Sequence, residues 1–310
     1  LLAVSLSACS GASTFEIAMI TDSGGIDDES FNQGTWEGIV EFCDENDLTY
    51  KYYKPLEISD AAYLDTIQLA VEGGAKVVVT PGFLFSAAVY DAQTEYPDVK
   101  FVILDAEPHT ADWSTFNTTS NTLPILFNEH ESGFLAGYAA VKEGFTNLGF
   151  TGGMAVPAVV KFGVGYIAGA YYAAEEDGVT ITLNDNNYTY FGNFDANDTN
   201  KATAATMYQN GVQVIFSAAG GAGSSVINAA TESSATDYVI GVDVDQSSKS
   251  DLVITSAMKE LGNAVKQALQ AYVDGTFVGG TTVIKGVSND GVGLPFANSV
   301  FANFTEAEYT

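Results

Sequence analysis

The chain has 310 residues, 46% of them hydrophobic, which is enough to bury a large core and fits two medium α/β lobes better than one small unit. Only 16% of residues are charged, but 39 acidic residues face 11 lysines and no arginine, leaving a formal net charge of −28. That balance excludes nucleic acid as a partner, since binding it needs a basic stripe to displace counterions from phosphates. Without bidentate guanidinium groups, a phosphorylated ligand would have to rely on lysines and helix N-termini, so a neutral ligand is the simpler expectation.

In chain order, the first feature is LLAVSLSAC, an apolar stretch followed by Leu6, Ser7 and Ala8 immediately before Cys9. It resembles the bacterial lipobox cut by the lipoprotein signal peptidase. The resemblance implies a signal-peptide remnant over 1–8 and a lipidated tether over 9–14, with acyl chains on Cys9. No later apolar run reaches the ~18 residues that a membrane helix needs, so the rest reads as a domain held by lipid at the extracytoplasmic face of the cell membrane.

From Phe15 onward short β-rich runs alternate with longer amphipathic ones, the rhythm of a parallel sheet covered by helices on both faces. Strands are predicted at FEIAMI, LTYKYY, KVVVT and KFVILD, with helices opening near Ser30, Asp60 and Phe85. Within WEGIVEFCDEN, Ile39, Phe42 and Cys43 share one helical face, which makes Cys43 a buried free thiol. After SNTLPILFNEHESGFLAGYAAV the rhythm restarts with strands NLGFTG, YTYFG, VQVIFSA and DYVIGV, separated by helices near Pro157–Glu176, Asp198–Asn210 and Ser224–Ser234. The strand LVITSA, a helix from Met258 to Val273 and the strand TTVIK read as a return to the first lobe. The N-terminal lobe is thus expected over 15–125 plus about 256–285, and the C-terminal lobe over 126–255 with 286–310 as its candidate completion. Chain crossings between two such lobes form a hinge, and the hinge creates a cleft.

Ligands of open parallel sheets bind beyond the carboxyl ends of the strands, where loops and helix N-termini converge. Asp22 follows FEIAMI, Asp105 ends KFVILD, the AAGGAG turn with Gly220 follows VQVIFS, Asp243 follows DYVIGV, and Lys259 comes shortly after LVITSA. Each lies at such an end, although an Asp there also serves as a helix cap. The stretch ITDSGGIDDESFNQGTWEG is the most informative. Gly24 and Gly25 permit a tight turn, Ser30 or a neighbouring acid caps the next helix, and Phe31 and Asn32 at its start offer a flat face beside an amide that reads a hydrogen-bonding edge.

Taken in order, DDESFNQGTWEG, VVVTPGF, FVILDAE, ESGFLAGYAA, GGM and PAV ahead of GVGYIAGA, GNFDAND, AAGGAG, IGVDVDQ and TSAMK resemble the basic membrane protein family of lipoproteins. These are substrate-binding proteins of ABC transporters, whose PnrA-like members bind purine nucleosides. The resemblance runs from about Phe15 to Lys285. It implies an α/β fold of the periplasmic-binding-protein-like type I, two Rossmann-like lobes with parallel sheets and three crossings. It implies a monomer whose partners are a purine nucleoside (inosine, guanosine or adenosine) and a transporter permease, with no cofactor and no metal. By the same resemblance Phe31 stacks on the base, Asn32 and Asp22 contact base or ribose, and Asp105 and Asp243 are cleft carboxylates suited to vicinal ribose hydroxyls. Phe191, Phe194 and Phe216 are candidates for the opposing aromatic wall. Lys259 matches a family lysine that serves the ligand, Asp243 or an inter-lobe salt bridge.

Two rival readings are weighed against this one. A nucleoside hydrolase is suggested by DSGGIDD, but Asp27 and Asp28 stand one residue too far from Asp22, and Ile20 occupies the place of an earlier aspartate. A calcium site needs six or more oxygens at fixed reach, whereas acids at a helix start are explained by its dipole. His109 and His130 read as surface residues, and no nucleophile–base set is apparent. A nucleoside-sensing surface lipoprotein is the other rival, and the sequence leaves transport and sensing open.

Overall fold

A computed structural model describes residues 15–233 and 236–310, so the lipobox reading at Cys9 lies outside the described residues. The first lobe begins with β1 (Ile17–Ile20), α1 (Phe31–Glu45), β2 (Tyr50–Tyr53), α2 (Asp60–Glu72), β3 (Val77–Pro81), α3 (Ser86–Glu95), β4 (Lys100–Leu104) and β5 (Thr122–Phe127). The chain then crosses to α4 (Glu129–Lys142), β6 (Leu148–Gly152), α5 (Pro157–Asp177), β7 (Tyr188–Tyr190), α6 (Asp198–Gln209), β8 (Val214–Ala218), α7 (Gly223–Ser233), β9 (Tyr238–Asp243) and β10 (Val253–Lys259). It returns with α8 (Leu261–Val273), which packs on α1, and β11 (Val283–Lys285), then crosses again to β12 (Val292–Gly293).

Among the described residues the strands form two six-stranded sheets, ordered β11-β5-β4-β3-β1-β2 and β12-β10-β9-β8-β6-β7. Read from their outer edges, the two share one winding. Pairing is parallel throughout except between β10 and β12. The inner strands β1, β3, β6 and β8 are buried at every position, as expected of strands covered by helices on both faces.

The structure departs from the sequence expectation at two crossings. The strand containing LVITSA joins the second sheet beside β9, not the first lobe, and it stays extended through Met258 and Lys259, so the crossing falls at Glu260 and not near 256. A largely buried strand carries no local signal for which of two similar sheets it joins. The first crossing also falls later than 125, because TLPILF forms β5 between β4 and β11. Pro124 inside that run argues locally against a central strand, since it lacks the N–H a ladder uses.

The motifs ESGFLAGYAA and GVGYIAGA have a packing origin. Gly133 and Gly137 of α4 sit against the backbone of Phe162 and Tyr166, while Gly165 and Gly169 of α5 sit against that of His130 and Phe134. The helices meet backbone to backbone, and a side chain at any of these positions would force them apart. Past β12, Phe296, Phe301, Phe304 and Tyr309 pack on the second lobe's core. Glu143 holds this tail by accepting from the N–H groups of Asn303 and Phe304 at 3.0 and 2.9 Å. Cys43 is a buried free thiol, and burial pushes it up to about 12. His109, expected at the surface, is buried with its ring stacked on Trp113 at 3.9 Å.

Candidate functional site

Between the lobes lies a cleft with about 820 Å³ of empty space, its open mouth included. It sits at the switch points of both sheets, where the strand order reverses, so the loops after β1 and β3 face those after β6 and β8.

In the first lobe the loop after β1 is built around two acids. Asp28, not Ser30, caps α1: its carboxylate accepts from the backbone N–H groups of Ser30, Asn32 and Gln33 at 3.0, 2.9 and 3.0 Å. Ser30 Oγ instead donates across the cleft to Asp243 Oδ2 at 2.5 Å. Asp22 Oδ1 accepts from the Gly24 N–H and from Asn32 Nδ2, both at 2.9 Å. Burial raises the Asp22 pKa, although those hydrogen bonds favour its charge. Asn32 is buried and its amide is committed within the protein, donating to Asp22 and Asp28 and accepting from the Asp22 N–H. It orients Asp22 while itself lining the cleft.

Asp105 and Asp243 occupy equivalent places, each just past β4 or at the end of β9, and both adopt the left-handed backbone, at φ 61° and 65°. Asp tolerates this conformation better than most residues, and such strain collects at functional sites. Lys259, at the end of β10, makes a short ion pair with Asp105 and lies 3.7 Å from both Glu129 and Asp243. Glu129 also pairs with Lys161 at 3.1 Å. Three carboxylates thus surround one buried ammonium. Burial pushes Lys259 down, but Asp105, Asp243 and Glu129 outweigh it and hold the lysine above its ordinary value. Burial raises Asp105 and Asp243, with Lys259 opposing in each case. Asp105 Oδ1 has no hydrogen-bond partner among the described residues.

The apolar surface comes from both lobes. Phe31 enters from the start of α1, and the Lys259 ammonium stands 4.8 Å from its ring centroid. Opposite, Phe194 lies over Gly153 and Gly220, where Gly220 takes φ 55° and a Cβ at Gly153 would overlap the ring. Val156, Val159, Phe162 and Phe83 complete the wall.

Of the residues singled out from sequence, Asp22, Phe31, Asn32, Asp105, Phe194, Gly220, Asp243 and Lys259 line this cleft. Phe216 does not. It sits mid-strand in β8 with its ring against Phe150, Phe162 and Tyr166, in the core of the second lobe. Phe191, at the end of edge strand β7, packs with α6 and α7 instead. Phe162, Asp28 and Glu129 were missed. Phe162 faces the cleft from α5, whose sequence reads as an ordinary buried helix, and Glu129 is tied to the site through Lys259. Among the described residues no cluster of His, Cys, Asp and Glu is arranged to hold a metal ion, and no helix is long and apolar enough to cross a membrane.

Residues 15–309 match the family model described as ABC transporter substrate-binding protein, PnrA-like. A Lactococcus lactis subsp. cremoris protein named ABC transporter nucleoside-binding protein BmpA is 33% identical, covering 91% of this chain and 82% of its own. Basic membrane protein D of Borreliella burgdorferi is 31% identical, covering 94% and 81%. A solved ABC transporter solute-binding protein from Aeropyrum pernix superposes with a TM-score of 0.80 at 28% identity, over 90% of this chain and 76% of that one.

Proposed function

This chain belongs to the family of PnrA-like ABC transporter substrate-binding proteins, and from that premise we propose that it captures a purine nucleoside between its lobes for delivery to a transporter permease. The observation that carries this reading is one cleft combining aromatic rings from both lobes, Phe31 and Phe194, with the carboxylates Asp22, Asp105 and Asp243. A planar base suits the rings, and ribose hydroxyls suit carboxylates that only accept. Asp105 Oδ1, which has no hydrogen-bond partner among the described residues, is an acceptor of this kind. The nucleoside-binding name of the Lactococcus lactis relative supports the same ligand class.

Charge sets the limit of that class. Placing a phosphate dianion beside buried carboxylates costs several kcal/mol unless compensated, and Lys259 is already shared among three acids. Calorimetric titration is expected to give inosine an affinity at least about 100-fold above that of its 5′-monophosphate, a gap of about 2.7 kcal/mol. Equal or tighter binding of the monophosphate would defeat the assignment.

We also propose that Cys9 carries the lipid that holds the protein at the extracytoplasmic face of the cell membrane. Because Cys9 precedes β1, Cys9→Ala in the full precursor is expected to abolish lipid labelling and membrane retention while leaving nucleoside affinity unchanged. A variant as membrane-bound and as labelled as the parent would contradict this.

A further inference from the structure

Two residues on the turn ahead of α1 reach across to the second lobe. Glu29 Oε1 stands 2.5 Å from Lys249 Nζ, and Oε2 accepts from Ser224 Oγ at 3.0 Å. The Glu29 carbonyl accepts from Gln246 Nε2 at 2.8 Å, and Ser30 donates to Asp243 as described above. Glu29 takes the left-handed backbone at φ 57°, with its own N–H donating to Gln33 Oε1 of α1 at 3.0 Å. A non-glycine residue keeps that conformation when its surroundings over-determine it. Here the hold comes from α1 on one side and from three second-lobe residues on the other. Gln246 is itself fixed, with its N–H donating to Ser256 Oγ at 3.0 Å and its Oε1 accepting from the Val242 N–H at 3.3 Å.

Of these contacts the one to Ser224 lies farthest from the crossings, while Gln246 and Lys249 belong to the loop between β9 and the crossing strand β10. In the first sheet β1 stands three strands from the crossing strand β5, about 14 Å at ~4.8 Å per strand. Ser224 follows β8, two strands from the crossing strand β10. Rotation about the crossings separates distant points most, so opening strains the Ser224 contact first, and the contacts to Gln246 and Lys249 join the same two lobes. Glu29 itself does not line the cleft, while its near neighbours Asp28 and Phe31 do.

We propose that Glu29 is a positioning residue that latches the lobes closed through Lys249, Ser224 and Gln246, and so sets how long a captured ligand is held without touching it. The proposal rests on the capture reading above. Glu29→Gln keeps the shape and the carbonyl contact while removing the charge facing Lys249. In stopped-flow measurements it is expected to raise the inosine off-rate about fivefold, the upper range for a partly exposed ion pair, with the on-rate within about twofold of the parent. Lys249→Met should do the same, and the double variant should exceed neither single one, because both remove one interaction. Small-angle scattering of ligand-stripped protein should show a larger mean radius of gyration for Glu29→Gln than for the parent. Multiplying effects in the double variant, or an off-rate and radius both unchanged in Glu29→Gln, would overturn the latch. If the parent fails to bind inosine, the nucleoside reading falls and the scattering comparison alone decides the latch.

Discussion

Replacing Lys259 with Met is expected to destabilise the folded protein by about 3–5 kcal/mol, the range for breaking a buried ion network from one side. The side chain is 3% exposed, and its partners Asp105, Glu129 and Asp243 are buried to a similar degree. Methionine fills much the same volume, so the loss reports charge and not a cavity. The variant also acquires a distinctive pH dependence. Lys259 is the main influence lowering Asp105 and Asp243 against the upward push of burial, so without it both carboxyls rise further above their unfolded values. A carboxyl whose folded pKa is raised binds protons more tightly when folded, and it returns stability as pH falls through that value. Urea unfolding at intervals from pH 8 to pH 5 should therefore show the gap between parent and variant narrowing on acidification. A gap that stays constant with pH, or lies below about 1 kcal/mol, would mean that the four groups do not act as one network.

The second large effect separates the two halves of the proposed ligand. Phe31→Ala is expected to weaken every base-bearing ligand by about 1–3 kcal/mol, the usual worth of one stacked aromatic face. Asp243→Ala should weaken inosine by about 1.5–3 kcal/mol through loss of a charge-assisted acceptor in a desolvated site. Alanine is strained at the φ of 65° that Asp243 adopts, but that strain, like the loss of the Ser30 contact, falls equally on all ligands. The discriminating observation is therefore the comparison with 2′-deoxyinosine and 3′-deoxyinosine by calorimetry. The deoxy ligand that already lacks the hydroxyl read by Asp243 should lose little more in the variant. If all three ligands weaken equally while the protein stays folded, Asp243 orders the lobe contact through Ser30 and does not read ribose.

The strand rhythm made the α/β architecture legible, and the clustering of Asp22, Asp105, Asp243 and Lys259 at strand ends located the cleft, because the topology brings every such end to one side of its sheet. What stayed hidden depends on tertiary partners. Phe194 and Phe216 look alike in sequence, yet one lies in the loop after edge strand β7 and enters the cleft, while the other sits mid-strand in β8 with its ring against Phe162 of α5. The sheet joined by β10 was illegible for a similar reason, since both lobes offer the same winding. The protein partners of Asn32 were not legible either, since Asp28, four residues before it, and Asp22, ten before it, are brought to its amide by the turn ahead of α1. The inter-lobe roles of Glu29 and Ser30 had no local signature, for their partners lie some two hundred residues away.

The measurement that bears most directly on the account is titration calorimetry of inosine, hypoxanthine and ribose into protein unfolded and refolded to strip it of ligand. Inosine is expected to bind at one site per chain with a negative heat-capacity change, and far more tightly than either fragment, because the rings of Phe31 and Phe194 and the carboxylates Asp105 and Asp243 act on different parts of one molecule. Inosine binding no tighter than ribose or hypoxanthine alone, or no heat from any purine nucleoside, would contradict it.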